Sequence, residues 1–238
     1  MHTSKLFLLI LFLTSCIDNQ SKNVNQDQDP NNAEISTNSK QYIKQEISNN
    51  KQLVVYIDTS ATSKYYLLLN DFTIDNRMLQ SELHLQENDK KLKLNLPENW
   101  LPVYSFQKKY YLYAPSDLGN VNKLKIENGM IYKWGNDGIY PTPISSFKED
   151  SNGKITLGIS NNTKALKDKS RIHITEIDSI TGLSIFEFVN HKKDSFYQLY
   201  LPANNATSYD IIVNYSKDGK QHEFTFDSID FPKLLLQL

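Results

Sequence analysis

The chain has 238 residues, of which 26 are basic and 27 acidic, so its formal net charge is −1. Proteins that bind nucleic acid carry clustered lysine and arginine, and this even, interspersed balance argues against that class of partner. Cys16 is the only cysteine, so the rest of the chain holds neither a disulfide nor a thiolate metal site.

The first 15 residues have the layout of a secretory signal peptide. Lys5 precedes an apolar run over residues 6–13. That run is far shorter than the roughly 20 residues a membrane-spanning helix needs, and its length is typical of a signal-peptide core. Thr14 and Ser15 are the small residues that commonly precede a cleavage site.

The tetrapeptide Leu13-Thr14-Ser15-Cys16 resembles a bacterial lipobox. The resemblance implies removal of residues 1–15, acylation of the Cys16 thiol by chains such as palmitate, and attachment of the mature protein to an envelope membrane through this lipid. We expect the outer membrane, with the protein facing either the periplasm or the exterior. The Asn-, Lys- and Ile-rich composition is similar to that of exported Bacteroidetes proteins.

Residues 16–50 are predicted to form a disordered tether behind the acylated cysteine. Their opening stretches, residues 19–23 and 25–32, are polar, free of aromatic side chains and low in complexity. Such segments cannot bury enough apolar surface to offset the loss of chain entropy. A flexible tether of about 30 residues has a root-mean-square reach of about 30 Å.

Beyond residue 50 the hydrophobic pattern alternates with a period of two, which predicts an all-β region over residues 51–238. Strands are expected at residues 53–57, 65–69, 79–85, 92–96, 103–113, 124–126, 130–134, 155–159, 171–177, 183–189, 196–201, 209–215 and 223–226. Asn128-Gly129 is the strongest local hairpin signal. Only residues 165–168 and 232–236 suggest even a single helical turn. Short strands with turn chemistry between them favour an antiparallel, β-sandwich-like fold.

A short motif that occurs twice leaves the number of domains open. Residues 112–115 and 199–202 share the form Leu-Tyr-x-Pro, each at the end of an aromatic strand. A true duplication would split the region near residue 150 into two small tandem β-domains. A single domain over residues 51–238 is the alternative, because all-β units often reach that size.

No catalytic or metal-binding motif is present, and no cofactor is predicted. His84, His173, His191 and His222 are far apart and lack metal-ligand spacing. There is no Gly-x-Ser-x-Gly elbow. The pattern therefore favours a protein that is not an enzyme, although a Ser-His-Asp set assembled from distant positions stays open.

Aromatic side chains are the remaining functional signal. Trp134 and Tyr140 lie in the predicted loop over residues 134–143, and Tyr111 belongs to an adjacent tyrosine pair that must face both sides of a strand. These three residues are the predicted binding patch, since exposed aromatic rings bind proteins and sugars well. The alternative is that the tyrosines fill half-buried sheet surface and the loop is a rigid hairpin tip.

Two Asp-Ser-Ile triplets place Ser179 and Ser228 in a context that resembles the O-glycosylation acceptor of exported Bacteroidetes proteins. A turn closed by an Asx contact explains the same triplet.

Three functions follow from these observations. The first is a lipid-anchored, non-catalytic module that recognises a protein or glycan of the envelope. The second is a structural subunit of an envelope assembly, joined through edge strands. The third is a hydrolase with a dispersed site, which requires a histidine, a carboxylate and a serine in one cleft.

Overall fold

A computed structural model describes residues 39–48, 51–79, 94–117, 121–160, 166, 169–190, 192, 194–217 and 223–238. The strands are β1 (Lys40–Ser48), β2 (Lys51–Asp58), β3 (Asn99–Phe106), β4 (Lys109–Ala114), β5 (Leu124–Glu127), β6 (Met130–Gly135), β7 (Gly138–Glu149), β8 (Ile155–Ile159), β9 (Lys169–Asp178), β10 (Leu183–Asn190), β11 (Ser195–Pro202) and β12 (Ile211–Ser216). The helices are α1 (Lys64–Leu69), α2 (Phe231–Leu235) and two 3-10 helices, Asn76–Met78 and Ala203–Ser208. Among these described residues no helix is both long and apolar enough to cross a membrane.

Eight strands close into an antiparallel barrel in the order β3-β11-β10-β9-β8-β7-β6-β5, with β5 returning to β3. The closure depends on the first half of β3. Its Asn99 and Trp100 pair with β5 along one edge, while Trp100 to Val103 pair with β11 along the other. The barrel is therefore sealed by a strand that has neighbours on both sides, which removes the exposed edges that an open sheet would present.

The second half of β3 leaves the barrel and begins a four-stranded extension, here called the flange, made of β4, β12, β2 and β1. β3 and β4 form a hairpin through Tyr104 and Tyr111. β12 runs parallel to β4 and antiparallel to β2. β1 is the outermost strand and pairs with β2.

Alternation along each strand sorts side chains into separate cores, because successive residues face opposite sides of a sheet. Ile172 and Ile174 on β9 pack inside the barrel with Leu157 and Phe186 from neighbouring strands. A second core covers the outer face of β3, β10 and β11 and continues over the flange, where α1 and the segment that follows it pack. A third, aromatic core lies on the opposite face of the flange.

The all-β prediction is confirmed, whereas the sandwich-like arrangement is not: the observed sheet closes on itself through the β3–β5 pairing. Period-two alternation is shared by both architectures, so it could not separate them. The Asn128-Gly129 hairpin is confirmed. Its two central residues have φ of +51° and +75°, as a type I′ turn requires, and it joins β5 to β6.

Several predicted elements differ in the structure. The strand expected at residues 65–69 is helix α1, which Ser63 caps by accepting a hydrogen bond from the Tyr65 amide at 3.3 Å. The strand expected at 103–113 is broken into β3 and β4 by a turn at Gln107 and Lys108. β7 was not anticipated, and residues 223–226 form no strand but lead into a single bridge between Ser105 and Asp227.

The folded region also begins earlier in the chain than predicted. β1 occupies residues 40–48, inside the predicted tether of residues 16–50, because pairing with β2 satisfies the backbone of a segment whose composition is polar. The signal peptide, the remaining tether positions, and His84, His191 and His222 lie outside the described residues. Of the hairpin expected at residues 79–85 and 92–96 only the ends are described: Leu79 makes an isolated bridge to Ile139, and residues 94–96 form no strand. Residue 150 is in the turn between the paired strands β7 and β8, and residues 36–238 cluster as one compact unit.

Candidate binding surfaces

Trp134 is buried rather than displayed, with 8% of its surface exposed. It is the penultimate residue of β6 and meets the ring of Phe72 edge-on, the two centroids being 5.6 Å apart. The ammonium of Lys123 lies 5.2 Å from the centre of the indole. The first predicted binding residue is thus a packing residue of the outer core.

Lys123 is itself a buried cation, with 7% of its surface exposed. Its ammonium donates to the carbonyls of Asp71 and Leu69 and sits 4.9 Å above the ring of Phe72. Burial disfavours the ammonium and lowers the pKa of Lys123 to about 8, although the nearby Asp71 charge opposes that shift. These contacts fasten the segment after α1 to the barrel end beside Trp134.

Tyr111 is also buried, with 5% exposed. It belongs to the aromatic core of the flange, where it meets Phe106 edge-on at 6.4 Å. Neighbouring Tyr113 binds the C-terminal segment, because its hydroxyl accepts hydrogen bonds from the Phe224 amide and the Asn214 side chain. Burial raises the pKa of Tyr113 to about 12. This face is covered by the protein's own residues 223–226.

Tyr140 remains partly exposed, at the tip of the β6–β7 hairpin. Its hydroxyl bonds the carboxylate of Asp137, which raises the pKa of Tyr140. Its ring also lies against Gly135, where an added Cβ would come within 3.2 Å of the ring. The structure thus separates the three predicted residues: Trp134 and Tyr111 are internal, and Tyr140 is half-buried on β7, opposite Lys133.

Ser179 and Ser228 are both exposed. Ser179 lies in the turn between β9 and β10, where the Asp178 carboxylate accepts from the Ile180 amide at 3.0 Å and from the Thr181 hydroxyl at 2.7 Å. The Asx contact considered from the sequence is therefore present at this triplet. Accessibility, which an acceptor hydroxyl needs, is present at both serines.

The elements of a hydrolytic site come near each other on the outside of the barrel, but with the wrong bonding. His173 pairs with Glu187 across β9 and β10, and its Nδ1 lies 2.9 Å from the Thr156 hydroxyl. The Ser195 hydroxyl donates to Glu187 at 2.6 Å. The serine proton is thus directed at the carboxylate rather than the imidazole, which does not match a serine activated by histidine. Burial lowers the pKa of His173.

No group of three or more His, Cys, Asp or Glu side chains that could hold a metal ion occurs in the described part of the chain.

A tyrosine surface that the sequence interpretation missed lies on the flange. Tyr42 on β1 is 50% exposed and Tyr215 on β12 is 40% exposed. Tyr42 pairs with Tyr56 of β2, their ring centroids 5.8 Å apart, and the Tyr56 hydroxyl donates to that of Tyr65 in α1 at 3.5 Å. Tyr215 pairs with Val54 on the same face. We call Tyr42, Tyr65 and Tyr215, which surround the buried ring of Tyr56, the tyrosine patch.

Lysine and leucine side chains surround the tyrosine patch. The ammonium of Lys40 lies 4.6 Å above the ring of Tyr56, and that of Lys64 lies 5.6 Å above Tyr65. On α1, Leu67 and Leu68 follow Lys64 at the three- and four-residue spacings that share a helix face. They are 78% and 44% exposed. The sequence signal existed, since five consecutive apolar residues in a six-residue helix cannot all be buried.

The edge strand beside this patch is poorly suited to pairing with another chain. β1 carries a register irregularity between Tyr42 and Lys44. Lys44 also forms an exposed ion pair with Glu46 at 2.9 Å. Charges and bulges are the features by which edge strands avoid joining other sheets, so β1 gives little support to an assembly built through its edge.

A shallow, open depression of about 400 Å³ lies between the β3–β4 hairpin and α2. Its walls combine hydroxyl, ammonium, carboxylate, amide and apolar groups, from Ser105, Lys108, Tyr110, Ser228, Ile229, Asp230, Lys233, Leu234 and Gln237. Asp230 also caps α2 by accepting from the Lys233 amide at 3.1 Å. The depression brings the half-buried face of a tyrosine together with several hydrogen-bonding groups.

No protein-family model, curated protein or solved structure matches this chain.

Proposed function

We propose that this protein is an outer-membrane lipoprotein, acylated at Cys16, whose all-β domain is a non-catalytic module that binds a glycan of the bacterial envelope. The observation that carries the proposal is the depression between the β3–β4 hairpin and α2. Sugars are bound by a flat aromatic surface beside polar groups that bond the hydroxyls, and Tyr110 and its neighbours supply both kinds of contact.

The bonding around His173 supports a binding role over a hydrolytic one. Ser195 and Tyr197 both donate to Glu187, so that carboxylate is held by neighbouring hydroxyls on the outer barrel wall. A protein partner and a structural role remain the alternatives.

Binding is tested with purified, unmodified protein and insoluble peptidoglycan, followed by titration with the soluble fragments. Lys233→Ala removes one exposed ammonium from the depression and should weaken binding at least about threefold. The matched control, Lys217→Ala, removes an exposed ammonium elsewhere and should bind like the parent. Failure to bind envelope glycans, or equal loss in both variants, would refute the glycan proposal and leave the protein-partner alternative.

The anchor is tested separately in the bacterial host. We expect labelled palmitate to enter the parent protein and not Cys16→Ala, and mass spectrometry to find a mature N-terminal peptide that begins at an acylated Cys16. An unmodified N-terminus that begins at Met1 would contradict the lipoprotein assignment.

The exposure of Ser179 supports a further proposal, that its hydroxyl carries an O-linked glycan. Ser228 has the same triplet and exposure, but it lines the depression proposed above as the binding site. The intact mass of protein from its host should then exceed the polypeptide mass, and Ser179→Ala should remove one increment. A glycan on Ser228 would fill the depression itself, so the proposed binding site requires that Ser228→Ala lose only the mass of the deleted oxygen atom and no glycan increment.

A further inference from the structure

The tyrosine patch lies where the chain enters the folded domain. β1 begins at Lys40, and Tyr42, an exposed member of the patch, is two residues further on. Between Cys16 and Ser39 there are 22 residues. A flexible segment of that length, as the sequence predicts here, has a root-mean-square reach of about 26 Å. An acylated Cys16 would therefore hold this side of the domain close to the lipid.

The side chains around the patch are those that partition to a membrane surface. Tyrosine is enriched where hydrocarbon meets headgroups, with its ring in the apolar zone and its hydroxyl in the polar zone. Lysine extends its ammonium toward lipid phosphates while its methylenes stay in apolar surroundings. Leu67 and Leu68 add aliphatic groups that the fold leaves outside its cores.

The ring of Tyr56, which is only 6% exposed, joins these groups from beneath. Lys40 and Tyr42 both contact the ring of Tyr56, and the hydroxyls of Tyr56 and Tyr65 are hydrogen-bonded. Lys64 then lies over Tyr65 and begins the helix that displays the two leucines.

The helix presents its leucines rigidly. Tyr66 and Leu69 are buried beneath it, and the Tyr66 hydroxyl donates to the Tyr209 carbonyl at 2.7 Å. A six-residue helix is not stable alone, so these contacts, together with the Ser63 cap, hold Leu67 and Leu68 outward.

The charge of this surface fits an anionic bilayer. Burial lowers the pKa of Lys40, the charge of Asp58 opposes that shift, and the nearby charge of Lys64 adds to it. Asp58 is buried and its carboxylate is already bonded by the Ser63 hydroxyl and the Ser60 amide. Lys64 is exposed and Lys40 is half-buried, and phosphate groups of lipid would relieve the repulsion between their charges.

We propose that the tyrosine patch, with Lys40, Lys64, Leu67 and Leu68, docks on the anionic bilayer in which the acylated Cys16 is inserted. This inference rests on the lipid anchor proposed above. Docking would convert a tethered domain into one with a fixed orientation, with α1 and the outer flange against the lipid.

The test places a tryptophan at the predicted contact in the lipidated, full mature protein. Leu67→Trp is reconstituted into vesicles of phosphatidylethanolamine and phosphatidylglycerol whose acyl chains are brominated, since bromine quenches indole only at close range. The control is Ile180→Trp, at a position that is 91% exposed in the β9–β10 turn. The native tryptophans, Trp100 and Trp134, are buried and contribute equally to both samples.

We expect the added tryptophan at position 67 to lose at least about half of its emission in brominated relative to ordinary vesicles, and that at position 180 to lose none. Combining Leu67→Trp with Lys40→Glu and Lys64→Glu should restore the emission, whereas adding Lys217→Glu should not. Equal quenching at both positions, or none at position 67, would overturn docking.

Two outcomes distinguish the possible failures. One distinguishes loss of the lipid anchor from loss of docking, and the other distinguishes a bilayer on the patch from a second copy of the protein. Protein that fails to float with the vesicles at all lacks a working anchor, which refutes the lipoprotein proposal and the docking that rests on it. A shift in the emission of Leu67→Trp that grows with protein concentration in detergent, without lipid, shows a second copy on the patch and overturns bilayer docking.

Discussion

At the scale of single residues, Lys123 is the clearest case of a charge retained inside the protein. Its ammonium is bonded to carbonyls and stacked on aromatic rings, yet its pKa is lowered to about 8 because burial outweighs these contacts. In an unfolded chain the lysine would keep its ordinary pKa of 10.5. The unfolded state therefore binds more protons than the folded state between these two values.

We predict that the free energy of unfolding rises with pH through this window, because stability increases wherever the unfolded state holds the extra proton. Relative to Lys123→Met, the parent should gain roughly 1 to 2 kcal/mol between pH 7 and 9.5. Urea titrations across this range measure the difference. Buried tyrosines such as Tyr113 act oppositely, but only near and above pH 10, and they are common to both proteins. A flat difference would show that Lys123 keeps its ordinary pKa in the folded protein and stays charged throughout this range.

Gly182 is a second residue whose identity the fold dictates. Its φ is +75°, and a Cβ there would lie 2.9 Å from Cγ of Pro202. Gly153 has the same φ of +75° but nothing within 4 Å. We predict that Gly153→Ala costs about 1 kcal/mol for backbone strain alone, and Gly182→Ala clearly more, because a ring in a packed strand cannot move aside. Equal shifts in the urea midpoint would contradict the steric part of this account.

Among the secondary-structure elements, two hairpins turn through pairs of residues with positive φ but differ in the residues at those positions. β5–β6 turns through Asn128-Gly129, whereas β3–β4 turns through Gln107 and Lys108 with φ of +50° and +64°. Only glycine adopts such angles without a steric cost. We predict that Lys108→Gly stabilises the protein by about 1 kcal/mol, while Lys109→Gly, in a strand, destabilises it. Thermal denaturation of both variants decides the point, and destabilisation by Lys108→Gly would reveal a role for that side chain.

The sequence predicted strands wherever alternation was uninterrupted, as on β8, β9 and β10. It missed β7 because Pro141 and Pro143 argue against a central strand. The structure removes the conflict: residues 138–143 pair with β6, while β8 pairs with the other half of β7, from Ile144 onward. Pro141 and Pro143 therefore lie in the half of β7 that pairs with β6 on one edge and, among the described strands, with no strand on the other edge.

The candidate site was less predictable than the fold because burial of an aromatic depends on distant segments. Trp134 is covered by Phe72, and Tyr111 lies in a core closed by Phe224 and Phe226. No residue close in sequence to Trp134 or Tyr111 indicates that these distant phenylalanines pack against them. The exposed position of Tyr42 was missed for the opposite reason. The polar residues around it predicted a tether, whereas the structure pairs this segment with β2 in a sheet.

At the scale of the whole molecule, β3 joins what could otherwise be two folding units. Trp100 packs inside the barrel, Leu101 and Val103 belong to the outer core, and Tyr104 packs in the aromatic core of the flange. One strand of eight residues thus contributes to all three cores. Losing either the barrel or the flange would expose one side of β3, so the two parts should unfold together.

We predict a single calorimetric transition for the full mature chain, in which the calorimetric and van't Hoff enthalpies agree. Leu157→Ala removes a fully buried side chain from the barrel interior, and Ile212→Ala does so in the flange. Each should cost about 2 to 5 kcal/mol and move the same transition to lower temperature. Two small tandem domains divided near residue 150 would instead give two transitions, with Leu157→Ala lowering only one of them. Because β12, near the end of the chain, lies between β2 and β4 from its beginning, the flange is complete only when both halves of the sequence are folded.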